Sequence, residues 1–251
     1  MQAATAPIRD RGAAGRSSPG REARERRLIG LTGLTSFILI VTGALVSPPL
    51  WETPGTNASG AAVAASAYAD RGRVLAGIFI YSLAMGLFLW FAAGLWGWLR
   101  QAEPSPRPLS AAFAFGAVAL AVLIMTAFVP GGLLAYRAQP AVVAGPLADL
   151  TFGLLAVSGI PTAVCLGAYA ELVLRYRLLP VWTAWLAALG AATHVLIAAS
   201  FLSHGAVLSL EGSVIVLIPP TYFAWILATS LVLLPKRPMA VGERGRLERP
   251  N

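Results

Sequence analysis

Long apolar runs recur along this chain and are separated by short polar segments. They lie at about residues 28–46, 74–99, 109–129, 147–173, 181–202 and 213–234. Each run has about 19 residues or more, and a helix that rises ~1.5 Å per residue needs about 20 to cross a hydrocarbon core of ~30 Å. Buried helices of a soluble protein would carry a polar face at helical spacing, which these runs lack. The pattern predicts an all-α polytopic membrane protein, with six transmembrane helices in one bundle.

The first run has a competing interpretation, because a basic leader before an apolar core is also typical of a signal peptide. Its uncharged stretch is long for that role, and "ALVSPP" is a poor match to the small-residue cleavage site of a signal peptide. The sequence therefore predicts a retained span. Three regions follow: a basic, disordered cytoplasmic tail over 1–27, a transmembrane domain over 28–234 and a basic cytoplasmic tail over 235–251.

Composition and charge agree with this interpretation and set an orientation. Hydrophobic residues make up 57% of the chain and charged residues 12%. Of the 19 lysines and arginines, 16 lie in the two tails and in the second and fourth connections, leaving Arg71, Arg73 and Arg137 for the opposite side. The positive-inside rule then places both termini in the cytoplasm of a bacterial inner membrane. The net charge of +8 is thus an orientation signal and predicts no nucleic-acid partner.

The basic segment before the first span also carries acidic residues at helical spacing. In "GREARERR", Arg21 and Glu25 are four residues apart, as are Glu22 and Arg26. Such pairs face each other on a helix. The segment predicts a short helix against anionic headgroups, although residues 1–20 have the composition of a disordered tail.

A few polar residues lie inside the apolar runs and mark the candidate site. Counted inward from the predicted outer side, Tyr81, His194 and Pro219 all lie roughly 9 to 12 Å deep. Asp149 lies above this layer, and Thr221 and Tyr222 lie just below it. An ionisable residue within a span is by default a functional hypothesis. We therefore expect an outward-facing ligand pocket formed by His194, Tyr81, Asp149, Tyr222 and Thr221. In the alternative, a neutral His194 hydrogen-bonds across two helices and only holds them together.

Prolines and small residues indicate where helices bend and pack. Pro161 and the pair Pro219–Pro220 remove backbone donors, so each is expected to kink its helix. Gly159, Ala163 and Gly167 recur every four residues, and such stripes let membrane helices approach closely.

The motifs of known cofactor and metal chemistry are missing from the sequence. The two histidines, His194 and His204, are ten residues apart and cannot easily clamp a haem, and Cys165 is the single cysteine. No HExxH, GxSxG or Walker motif occurs. We therefore predict no catalytic residue, cofactor or metal.

Three function hypotheses remain open. The first is a non-enzymatic binding or transport-like protein for a small lipophilic ligand. The second is an accessory subunit that packs against another membrane protein, and the third is an intramembrane enzyme on lipids with His194 as base and Asp149 as its orienting carboxylate. The predicted partners are membrane lipids, with a small lipophilic ligand or another membrane protein.

Three segments carry a family resemblance over roughly residues 28–234. They are "LIGLTGLTSFILIVTGALVSPP", "DRGRVLAGIFIYSLAMGLFLWFAAGLWGWLR" and "RLLPVWTAWLAALGAATHVLI". With them the chain resembles a broad group of six-span bacterial membrane proteins, the domain-of-unknown-function family numbered 4386, and its actinobacterial relatives. The resemblance implies a six-helix bundle and transfers no functional residue. The Ala, Gly and Arg content looks like that of a high-GC actinobacterium.

Overall fold

The described residues of this protein form helices joined by short connections. A computed structural model describes residues 19–48, 58–202 and 219–234, and no strand occurs within them. The helices are α1 (Pro19–Val46), α2 (Gly60–Ala69), α3 (Arg71–Ala102), α4 (Pro108–Tyr136), α5 (Ala141–Val157), α6 (Gly159–Tyr176), α7 (Val181–Ala198) and α8 (Pro219–Leu233). A 3₁₀ turn, Ala199–Leu202, extends α7.

Five helical stretches are long and apolar enough to cross a membrane. These are α1, α3, α4, the pair α5–α6 and α7 with its 3₁₀ turn. The chain thus has the character of a helical membrane protein. The sixth predicted run, 213–234, is described only from Pro219, and its helix α8 has 15 residues there. The predicted tail residues 1–18 and 235–251, and residues 213–218, lie outside the described parts.

The helix boundaries differ from the predicted spans mainly at the polar ends. Helix α1 begins at Pro19, so "GREARERR" is helical and continuous with the first span. The two expected ion pairs are present: Arg21 Nε lies 3.0 Å from Glu25 and Arg26 Nη2 lies 2.9 Å from Glu22. The expected helical conformation of this segment is confirmed, although it forms the first turns of a long helix. The prediction of a disordered tail over 1–27 is wrong for residues 19–27, which are helical. Helices α4 and α5 also continue through Pro130 and Pro146, where the hydrophobicity pattern had suggested ends.

The helices form a closed ring around a common core. Helix α1 packs against α3 and α8, α3 against α4, α4 against α5 and α6, α6 against α7, and α7 against α8. A buried hydrogen bond from Ser36 Oγ to the Ala84 carbonyl, 2.8 Å long, joins α1 to α3. The short helix α2 lies on α5, with Val63 packed against Ala144 and Ala148. We call the end with the carboxyl termini of α1, α4 and α7 the outer half, following the charge distribution, and the opposite end the inner half.

The fourth span is broken into two helices at Ser158, close to the expected kink at Pro161. Proline lacks the N–H that would bond the carbonyl four residues earlier, so the helix cannot continue regularly there. Two hydroxyls bond backbone carbonyls at the break. Ser158 Oγ donates to the Leu155 carbonyl at 2.6 Å, and Thr162 Oγ1 donates to the Ser158 carbonyl at 2.7 Å. The predicted kink is confirmed. Pro161 frees the carbonyl of Val157, whereas Thr162 bonds to the carbonyl of Ser158, so Thr162 is not seen as the expected partner of the freed carbonyl.

The connection between α3 and α4 is closed by a buried carboxylate. Glu103, 4% exposed, accepts hydrogen bonds from the backbone N–H groups of Leu109 at 3.0 Å and Ser110 at 2.8 Å. These donors lie in the first turn of α4, where the helix itself offers no acceptor. Burial raises the pKa of Glu103, but the hydrogen bonds from Ser110 and Leu109 outweigh it, and the pKa is lowered below the ordinary value. The carboxylate therefore caps α4 in its charged form.

Candidate ligand-binding pocket

A pocket of about 100 Å³ lies at the centre of the ring, in its outer half. All the helices of the ring contribute to its wall. The apolar lining comes from Ile40, Met85, Leu120, Ile124, Phe128, Leu155, Ile197, Pro219 and Phe223, and the polar lining from Tyr81, Ser158, Thr162, His194 and Tyr222. The wall is thus largely hydrocarbon with a few polar groups.

His194 is buried in this wall, 5% exposed, and makes its hydrogen bond within its own helix. Its Nδ1 lies 2.7 Å from the Gly190 carbonyl oxygen, one turn earlier in α7. A carbonyl can only accept, so Nδ1 carries the proton and donates. In the neutral imidazole, Nε2 is then an acceptor, and the described residues provide no donor for it. Within the described residues, the imidazole does not hydrogen-bond across to a second helix, which the structural alternative for His194 required.

Tyr81 and Tyr222 line the pocket from α3 and α8. The Tyr222 ring meets the imidazole of His194 edge-on, with centroids 6.0 Å apart. The Tyr222 hydroxyl is buried and has no hydrogen-bond partner in the described part of the chain. The Tyr81 ring packs 5.7 Å from that of Phe128, and a Cβ on Gly43 would come within 3.1 Å of it. The structure thus brings together Tyr81, His194, Tyr222 and Pro219, which the depth count placed in and just below one layer.

The other two predicted site residues lie outside this lining. Thr221 lies behind it, where its hydroxyl is 3.1 Å from that of Thr193, at the contact between α7 and α8. Asp149 is exposed on α5, and no hydrogen bond or ion pair joins it to His194. The carboxylate–imidazole pairing of the enzyme hypothesis is therefore not formed.

The position of His194 is fixed by a close helix crossing. A Cβ added to Gly159 would overlap the backbone carbonyl oxygen of His194 and would come within 3.2 Å of the Ala198 nitrogen. Only a glycine lets the start of α6 come this near to α7. Gly167, on the same stripe, differs, because a Cβ there would meet no atom within 4 Å. The stripe therefore packs inside the bundle at one end and faces open space at the other.

A second set of buried polar groups in the inner half was missed by the sequence reasoning. The Tyr169 hydroxyl donates to Thr183 Oγ1 at 3.0 Å and lies 3.3 Å from Thr229 Oγ1, which links α6, α7 and α8. The Tyr169 ring packs against Phe113 and Trp225, Trp225 packs against Phe91, and Phe91 packs against Phe88. We call these five rings the inner aromatic cluster. Tyrosine and threonine inside apolar runs were the available signal, but nothing in the sequence pairs them.

Neither metal ligands nor known relatives define this pocket further. Within residues 19–48, 58–202 and 219–234, no three His, Cys, Asp or Glu side chains are placed to hold a metal ion. Comparison of the chain with protein-family models, curated proteins and solved structures gives no match. The geometry of the pocket is therefore the basis for a functional assignment.

Proposed function

We propose that this chain is a six-span protein of a bacterial inner membrane, with both termini in the cytoplasm, that binds a small lipophilic ligand. The five long apolar helices, the closed ring that α8 completes and the distribution of arginines support the topology. The sequence resemblance to the six-span family is in keeping with this topology. The binding role is non-enzymatic, and transport of the same ligand would be an extension of it.

The central pocket carries the proposal. Its volume of about 100 Å³ suits one small molecule, about the size of an aromatic ring. Its wall favours an apolar body, and specificity comes from a few placed polar groups, as in most ligand sites. The lone pair of His194 Nε2 selects a ligand that donates one hydrogen bond.

The hydrogen-bond geometry favours a binding role for His194 over a purely structural one. A histidine that only joins helices would spend its hydrogen bonds between them. Here Nδ1 bonds to Gly190 of the same helix. Contact of His194 with α8 is made by packing against the Tyr222 ring. The imidazole is thus oriented by its own helix and by one aromatic neighbour, with its acceptor left for a ligand.

The test compares two probes with the same number of heavy atoms, of which only one donates a hydrogen bond. Phenol and toluene share an aromatic ring, but toluene has a methyl group in place of the O–H. Thermal unfolding of the detergent-purified protein would be followed with each probe added. A ligand present at ten times its Kd stabilises the folded state by about 1.4 kcal/mol. We expect phenol to raise the unfolding midpoint of the wild-type protein more than toluene does.

Two variants assign this difference to the pocket. His194→Phe keeps a ring but removes Nε2, and it should abolish the preference for phenol. Thr221→Val is the matched control, because Thr221 is next to Tyr222 and its hydroxyl points to Thr193. It should keep the preference. Equal protection by the two probes in the wild-type protein, or an unchanged preference in His194→Phe, would refute the proposal.

A further inference from the structure

A second, larger groove lies on the surface of the inner half, between α1 and α3. Its volume is about 520 Å³. The residues that matter for its chemistry are the charged Glu22, Glu25 and Arg26 of α1, and Trp90, Gly97 and Trp98 of α3. The groove shares no lining residue with the central pocket.

The groove changes from charged to apolar along its length. On α3 its lining runs from Trp90 to Gln101, which is roughly 16 Å at ~1.5 Å per residue. The antiparallel α1 places Glu22 and Arg26 beside the Gln101 end, and Leu28, Ile29 and Thr32 toward the Trp90 end. The Thr32 hydroxyl already donates to the Ile29 carbonyl at 2.8 Å. The groove is therefore amphipathic along the direction of the bundle axis.

At the charged end of the groove, the hydrogen-bond donors of Arg26 are only partly occupied. The two glutamates are each bonded to an arginine, Glu25 to Arg21 and Glu22 to Arg26. The Nε of Arg26 is buried and has no hydrogen-bond partner among the described residues. Its guanidinium lies 5.2 Å from the centre of the Trp98 ring. The charged residues that line the groove are one arginine and two glutamates. Over residues 21–27 four arginines stand against two glutamates, so the segment as a whole has a net positive charge.

Between its charged and apolar ends, the groove is open at Gly97. A Cβ on Gly97 would meet no atom within 4 Å. Trp90, at the far end of the groove, is 74% exposed. An exposed tryptophan beside an open channel, in a chain with long apolar helices, is placed against hydrocarbon. A chain of methylene groups over Gly97 would run along α3 toward this ring, roughly 10 Å away at ~1.5 Å per residue.

We propose that the groove binds one phospholipid of the bilayer, with its phosphate at Arg26 and one acyl chain over Gly97 toward Trp90. The charged end would lie at the headgroup level, where basic residues bind anionic lipid phosphate. The Arg26 guanidinium would donate to a phosphate oxygen, a charge-assisted hydrogen bond. The site is independent of the central pocket, so it stands or falls separately from the binding role proposed for that pocket.

Native mass spectrometry of the detergent-purified protein tests this proposal. The protein would be titrated with phosphatidylglycerol and, separately, with diacylglycerol of the same chains, which lacks the phosphate. We expect one tightly bound phosphatidylglycerol and weaker binding of diacylglycerol. Arg26→Gln should weaken phosphatidylglycerol binding about fivefold, the effect of one arginine at a headgroup. Gly97→Leu should weaken it at least as much by filling the channel.

Gly86→Leu is the matched control for the glycine variant. Gly86 is on the same helix, and a Cβ there also meets no atom within 4 Å, but it does not line the groove. It should bind phosphatidylglycerol as the wild type does, and both glycine variants should keep the wild-type unfolding midpoint. Equal binding by Gly97→Leu and Gly86→Leu, or equal affinity for the two lipids, would overturn the proposal.

Discussion

The outer and inner halves of the bundle differ in the surroundings of a buried tyrosine hydroxyl. Helix α8 passes through both, and Tyr222 and Trp225 lie about one turn apart on it. Tyr222 lines the central pocket, whereas Trp225 fills the inner aromatic cluster with its ring 5.1 Å from that of Tyr169. The hydroxyl of Tyr169 is engaged by two threonines, and the hydroxyl of Tyr222 has no partner in the described residues. Apolar character alone therefore does not separate a packed core from a binding pocket.

The difference follows from where helices break. In the inner half α6, α7 and α8 run side by side and bring Tyr169, Thr183 and Thr229 together. In the outer half the fourth span is interrupted at Ser158, which lines the pocket beside the close crossing of α6 and α7. This break leaves space that side chains do not fill. We infer that the inner half mainly carries stability and the outer half mainly carries function.

The largest expected effect compares two phenylalanines of α4. Phe113 is fully buried in the inner aromatic cluster, and Phe128 is 5% exposed in the pocket wall. Phe113→Ala should cost about 3–5 kcal/mol of unfolding free energy, the usual range for a buried ring. Phe128→Ala should cost about half as much, because one side of its ring already lacks partner atoms. Denaturation by sodium dodecyl sulfate in mixed micelles measures both, and equal losses would contradict the division into two halves.

A smaller effect is expected from removing one hydroxyl in each half. Tyr169→Phe leaves Thr183 and Thr229 without their shared partner and should cost about 1–2 kcal/mol. Tyr222→Phe removes a hydroxyl that has no described partner, so its cost should stay within about 0.5 kcal/mol. The same denaturation experiment serves for both variants. A Tyr222→Phe loss as large as that of Tyr169→Phe would show that the pocket hydroxyl is already used for stability.

The smallest effect concerns Glu103, in the connection between α3 and α4, and depends on pH. The pKa of Glu103 is lowered in the folded protein, so its contribution is complete above the ordinary glutamate pKa of about 4.3. The contribution is lost as the pH falls through the lower pKa of the folded state. Glu103→Gln should cost about 1 kcal/mol at neutral pH, as for other lost helix caps. Unfolding midpoints measured from pH 7 to pH 3 should fall less for the variant, and parallel curves would argue against the capping role.

Much of the architecture could be predicted because it follows from hydrophobicity and helix geometry. The positions of five long helices, the ion pairs of Arg21 and Arg26, and the kink near Pro161 all depend on local sequence. The extension of α4 and α5 through Pro130 and Pro146 was missed. Proline is tolerated in such helices when neighbouring groups satisfy the freed carbonyls, which local sequence does not reveal.

The sequence predicted how deep each candidate site residue lies in the bundle, but not which face of its helix carries it. Counting residues placed Tyr81, His194 and Pro219 in one layer, and all three line the pocket. Asp149 was placed by the same count, but it is on the exposed face of α5. The capping role of Glu103 and the Tyr169 hydrogen bonds also depend on which helices are neighbours. A depth count gives no information on contacts between distant segments of the chain.

Gly159 and His194 lie on different helices, yet the backbone of one sets the place of the other. Any residue larger than glycine at 159 would force the α7 backbone at His194 away from α6. The two positions should therefore be inherited together: in homologous chains that keep the histidine, the glycine should be retained, and where the glycine is replaced the histidine should also change.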